Sequence, residues 1–68
     1  MIANDTECRV TLTRIVDFQA QVVFLRTAVS DAENYRLSAG GFLAEIERME
    51  TEVREYLRRH RTELAASG

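Results

Sequence analysis

The chain contains no proline and no lysine, and it holds a single cysteine, Cys8, and a single histidine, His60. Each shortage excludes something. Without proline nothing interrupts a long helix from within, since no residue lacks its backbone donor. One cysteine rules out an intrachain disulfide, and a lone thiol suits a reducing cytoplasm. Zinc needs about four nitrogen, sulfur or oxygen ligands, mostly Cys and His, and one of each, far apart in sequence, cannot supply them. Neither a metal nor a cofactor is therefore expected. All nine basic residues are arginine, which genomic base composition explains more simply than selection for forked ion pairs.

The net charge of −2 argues against a general affinity for nucleic acid or anionic membranes, which requires a clustered positive surface. No apolar run approaches a membrane span, and Met1 to Glu7 lacks the basic flank and apolar stretch of a signal peptide. A cytoplasmic location is the expectation. At 68 residues the chain is one domain at most. A core this small contributes only about 3–5 kcal/mol, and small domains compensate with disulfides, metals or association. With the first two closed, association is what remains.

The apolar residues that are present follow helical periods. Ile15, Phe18, Val22, Leu25 and Val29 step by three and four, one stripe of a 3.6-residue helix. Leu12, Val16 and Val23 form a second strip beside it, and Phe24 and Ala28 lie on another flank, so the apolar surface is wider than one partner helix covers. Thr11 is positioned to cap this helix, with Val10 and Ile15 at the places of a hydrophobic staple. The alternation through Cys8 to Thr13 also fits a short strand. The reading is an extended arm over 1–10, a helix over 11–30 and a connector over 31–38. Ser30 and Glu33 have the spacing for one capped turn inside that connector.

A second helix is expected over 39–64, followed by a tail at 65–68. Ser38 can cap it, and Leu37 with Phe42 repeats the staple. Gly40 and Gly41 fall in its first turn, where they permit close helix packing; without a preceding strand or a lysine they are not a phosphate loop. Phe42, Ile46, Met49, Val53, Tyr56 and His60 occupy heptad a and d positions, and Leu43, Leu57 and Leu64 widen the stripe. Glu50–Arg54 and Glu55–Arg59 have the favourable acid-before-base spacing. Residues 42–53 carry four glutamates and one arginine, whereas 54–64 carry four arginines and two glutamates. That polarity complements the helix dipole, and it would also pair acid with base between two antiparallel copies.

The fold class expected is an all-α antiparallel hairpin whose coiled-coil-like second helix assembles into an oligomeric bundle. With its first helix starting near residue 11, the second helix overhangs, leaving Tyr56, Leu57, His60 and Leu64 without a partner inside the chain. The interface between chains is then expected to use Phe42, Ile46, Met49, Val53, Tyr56, Leu57, His60 and Leu64 with Ile15, Phe18, Val22 and Leu25, in a dimer or tetramer.

Candidate chemistry is sparse. His60 stands at a heptad core position between arginines, as a polar interface residue would. Cys8 has Arg9 beside it but no residue to orient a base, so no nucleophile is assembled. Glu45, Glu47, Glu50 and Glu52 point to different sides of a helix and lack the Glu-x-x-His pair of a carboxylate metal cage. Arg58, Arg59 and Arg61 have Glu55 and Glu63 as neighbours and no interleaved aromatics, unlike a single-strand binding surface. No enzyme is expected.

One resemblance can be stated on residues. Met1-Ile2, Asn4, Arg9-Val10-Thr11, Ile15 and Phe18 resemble the opening of bacterial helix-turn-helix antitoxins of the Xre and HigA type. Glu45-Ile46-Glu47 and Glu52 to Tyr56 are similar to the charged helix that leads towards their DNA-binding domain. The matching positions are scattered from Met1 to Tyr56, and Cys8 stands where an aromatic would precede the arginine. The resemblance implies, at most, the leading helical region without a DNA reader, so no DNA-contacting residue is carried over. Two function classes follow: a non-catalytic interaction and oligomerisation module, and an antitoxin-like regulator that binds a toxin or a separate DNA-binding chain.

Overall fold

In the structure, a computed structural model that describes residues 1–59, two helices account for most of the chain: α1, Asp5–Ala28, and α2, Ala32–Leu57. They run antiparallel and pack along their length as a hairpin, 51 × 16 × 13 Å overall. The all-helical hairpin read from the periodicity is the architecture found, and the described residues contain no strand.

The start of α1 corrects the expected arm over 1–10. Asn4 caps the helix, its Oδ1 accepting from the Glu7 amide at 2.9 Å, and the Glu7 carboxylate reaches back to accept from the Ala3 amide at 2.9 Å. This reciprocal pair has the logic of a capping box, shifted by one residue on the return bond. Asp5 and Glu7 in the first turn also face the positive end of the helix dipole. Thr11, expected as the cap, is inside the helix. Its hydroxyl donates to the Glu7 carbonyl at 2.9 Å, and Thr13 does the same to Arg9 at 3.1 Å. A threonine bonded back by one turn satisfies its hydroxyl without leaving the helix, which is why the strand-like alternation at Cys8 to Thr13 does not decide the outcome.

The connector is equally shorter than expected. Only Val29, Ser30 and Asp31 separate the helices, and no residue there takes a positive φ. Val29 and Asp31 are both extended, at φ −105°, ψ 110° and φ −88°, ψ 125°. The Val29 amide closes α1 on the Leu25 carbonyl at 2.9 Å, and Asp31 opens α2 by accepting from the Asn34 amide at 2.9 Å. An aspartate cap therefore replaces the expected Ser38, and Ser38 lies exposed within the helix. Within the described residues α2 stops at Leu57; the expected continuation to Leu64, and the tail, include residues 60–68, which lie outside them.

Helix α2 begins early because its heptad stripe does. Tyr35 and Ala39 precede Phe42, Ile46, Met49, Val53 and Tyr56 in one unbroken series of four- and three-residue steps. On α1, Cys8 and Thr11 extend Ile15, Phe18, Val22 and Leu25 in the same way. The two stripes form the seam. Phe18 meets Phe42 edge to face, centroids 5.4 Å apart at 89°, and the Tyr56 hydroxyl donates to Asp5. These two contacts fix the register, each step forward along α1 matching a step back along α2. Ile2 folds over the open end and is buried, and the terminal amine pairs with Glu52 at 3.2 Å.

Since α1 begins at Asp5, the expected overhang of α2 disappears for Tyr56, which is buried against the start of α1. Gly40 and Gly41 are likewise not packing residues. A Cβ added to either would meet nothing within 4 Å. The small residue that does lie in the seam is Ala39, which is wholly buried.

Candidate interaction surface

Nine residues expected between chains instead pack within this one: Ile15, Phe18, Val22, Leu25, Phe42, Ile46, Met49, Val53 and Tyr56. Early initiation of α1 supplies the missing cover. Of the other three, Leu57 is exposed, and His60 and Leu64 fall outside the described residues. The residues missed were Ile2, Cys8, Tyr35 and Ala39. Cys8, Tyr35 and Ala39 could have been found by running each stripe backwards past its presumed cap; Ile2 had no periodic signal.

What the seam leaves over is the second strip. Leu12, Val16 and Val23 on α1 are 44%, 61% and 62% exposed, and Leu43 and Leu57 on α2 are 47% and 65% exposed. Leu12 and Leu57 line one open groove with Glu50 and Arg54, which puts both strips on the same flat side of the hairpin. Helical phase carries Val16 and Val23 along that side with Leu12, and Arg36 and Leu43 with Glu50.

The opposite flat side carries two exposed apolar residues on α1, Val10 and Phe24, beside an internally paired charge network on α2. There Val10 and Arg14 share a groove with Ile2, Arg48 and Glu52. Arg48 bridges Glu45 at 2.7 Å and Glu52 at 3.1 Å. The bond to Arg48 holds the Glu45 carboxyl below its usual range, and the same contact raises the Arg48 guanidinium. These are not the pairs expected from spacing. Arg58 reaches Glu55 at 3.8 Å in place of the expected Arg59, and Glu50–Arg54 forms no ion pair among the described residues.

Chemically reactive groups are not gathered anywhere among the described residues. The Cys8 thiol is buried in the seam. Among the described residues no group of three or more His, Cys, Asp or Glu could hold a metal ion, and no helix is long and apolar enough to cross a membrane. The Tyr56 hydroxyl, held first by its bond to Asp5 and then by burial, is pushed up to about 12, a locked donor rather than an acid poised near neutrality.

No family model, no curated protein and no solved structure matches the chain. The likeness to antitoxin leading regions accordingly rests on the scattered positions alone.

Proposed function

We propose that this protein is a non-catalytic interaction module that works by self-association. The observation that supports the reading is the apolar strip of Leu12, Val16, Val23, Leu43 and Leu57, which the hairpin fold leaves open to solvent on one side. Five exposed apolar side chains grouped on one side of so small a molecule mark a contact site more often than a free surface. Two helices alone also make a marginal core, and burying this strip against another chain would add to it at about 25 cal/mol per Å². The single thiol is compatible with a reducing cytoplasm.

Sedimentation velocity across a hundredfold range of concentration, with thermal melts on the same samples, tests the reading. A dimer or tetramer with a melting temperature that rises with concentration is expected, because association stabilises the folded state by mass action. A well-folded monomer whose melting is indifferent to concentration would overturn it.

A further inference from the structure

We infer that the occupant of the open face is a second copy of this chain, packed antiparallel about a two-fold axis that passes between the two Leu43 side chains. The inference rests on the self-association reading and adds to it a face, an orientation and a set of charge contacts. Three observations carry it.

The first is charge. On the open side of α2, Arg36 and Glu50 lie seven residues before and after Leu43. Both are exposed, and neither makes an ion pair among the described residues. A two-fold axis at Leu43 sets Arg36 opposite the partner's Glu50 and Glu50 opposite the partner's Arg36. Parallel packing of α2 on its copy would instead oppose like charges, which is disfavoured by several kcal/mol. The other flat side offers no such complement, since Arg48 already engages Glu45 and Glu52.

The second is register. On α1 the open strip reads Leu12, Val16, Gln19, Val23, symmetric about a point between Val16 and Gln19. That point is beside Phe18, which touches Phe42, so it stands level with Leu43. One axis therefore serves both helices. It places Leu12 on the partner's Val23 and Val16 on the partner's Gln19 while joining the two Leu43 residues. Arg9 and the partner's Arg26, both exposed, meet only at the solvated ends of the strip, where salt screens like charges. The product is a four-helix bundle with each helix antiparallel to its own copy.

The third is area. The axis falls near the middle of the hairpin, so the copies overlap over nearly the whole flat side. The longer helix of that side, 26 residues, is about 39 Å long. With the 16 Å width of the molecule the face projects to roughly 600 Å², the low end of what each partner of a stable interface buries.

The test exchanges charges. Arg36→Glu and Glu50→Arg each place like charges in both symmetric contacts, so each variant alone should dissociate with a dissociation constant raised on the order of tenfold to a hundredfold. Mixed together they restore opposite charges at both contacts, and native mass spectrometry should show a one-to-one mixed pair. This recovery also answers the case in which a single variant loses helicity on its own. If the parent chain associates but the single variants associate equally well, or the mixture forms no mixed pair, the face and axis are wrong while self-association stands. A parent chain that is monomeric throughout overturns both.

Discussion

Tyr56, in the last turns of α2, donates its hydroxyl to the carboxylate of Asp5, the first residue of α1. The bond ties the open end of the hairpin shut, far from the three-residue connector. It couples that closure to alkali. The folded hydroxyl titrates near 12, against about 10 when unfolded. Between those values the folded state holds a proton that the unfolded state has released, so stability is complete below pH 10 and is lost as pH rises towards 12. Melts across this range should show the fall, and Tyr56→Phe should flatten it. A fall of equal steepness in the variant would show that another group is responsible.

Gly40 and Gly41 lie within α2 with free space where a side chain would go. Glycine inside a helix costs about 0.5–1 kcal/mol relative to alanine, chiefly through the flexibility it gives the unfolded chain. Gly41→Ala, off the face assigned to the second copy, should therefore stabilise by about that much, raising the melting temperature by several degrees. A decrease would mean that another surface closes on Gly41.

Met49 is the most completely buried large side chain, 1% exposed, whereas Leu37 is 75% exposed. Met49→Ala removes seam contacts and leaves a cavity, a loss of about 2–5 kcal/mol. That rivals the whole core of a domain this size. Leu37→Ala should shift stability by less than about 0.5 kcal/mol. Denaturant unfolding of the two variants side by side checks the contrast. Similar losses for both would place Leu37 in a contact that the single chain does not make.

Periodicity made the architecture legible, because both seam stripes keep three- and four-residue steps for their whole length. It misplaced the boundaries for a local reason. Thr11 and Ser38 are good caps by type, but so are Asn4 and Asp31, and the choice depends on what lies upstream. Cys8 and Ala39 were the deciding residues. Each continues a stripe by one more step, and each is small enough to read as neutral in isolation. The open apolar face was half legible. The Leu12, Val16 and Val23 strip was plain from spacing, yet its importance was hidden while Val53 and Tyr56 were assigned to another chain. Only the register of Phe18 on Phe42, a tertiary fact, shows which residues are left over.

The placement of the α1 start at Asp5 has its own test, since every later assignment depends on it. If Asn4 is the cap, removing its side chain strands the Glu7 amide and frees the returning Glu7 carboxylate from its fixed position. Asn4→Ala should then destabilise by about 1 kcal/mol, and Asn4→Asp or Asn4→Ser, which keep an acceptor, should restore most of it. Thr11→Val is the counterpart. Inside the helix its hydroxyl only bonds back to Glu7, so an isosteric side chain without it should cost little. Were the helix to begin after Thr11 instead, the two results would exchange: Asn4→Ala silent, Thr11→Val damaging. Hydrogen exchange gives a second reading. The Cys8 amide donates to the Asn4 carbonyl at 3.0 Å, so it should be protected in the parent and exchange faster in Asn4→Ala. A Cys8 amide that exchanges as freely as an unfolded one in the parent would return residues 5–10 to an extended arm and remove the cover from Val53 and Tyr56.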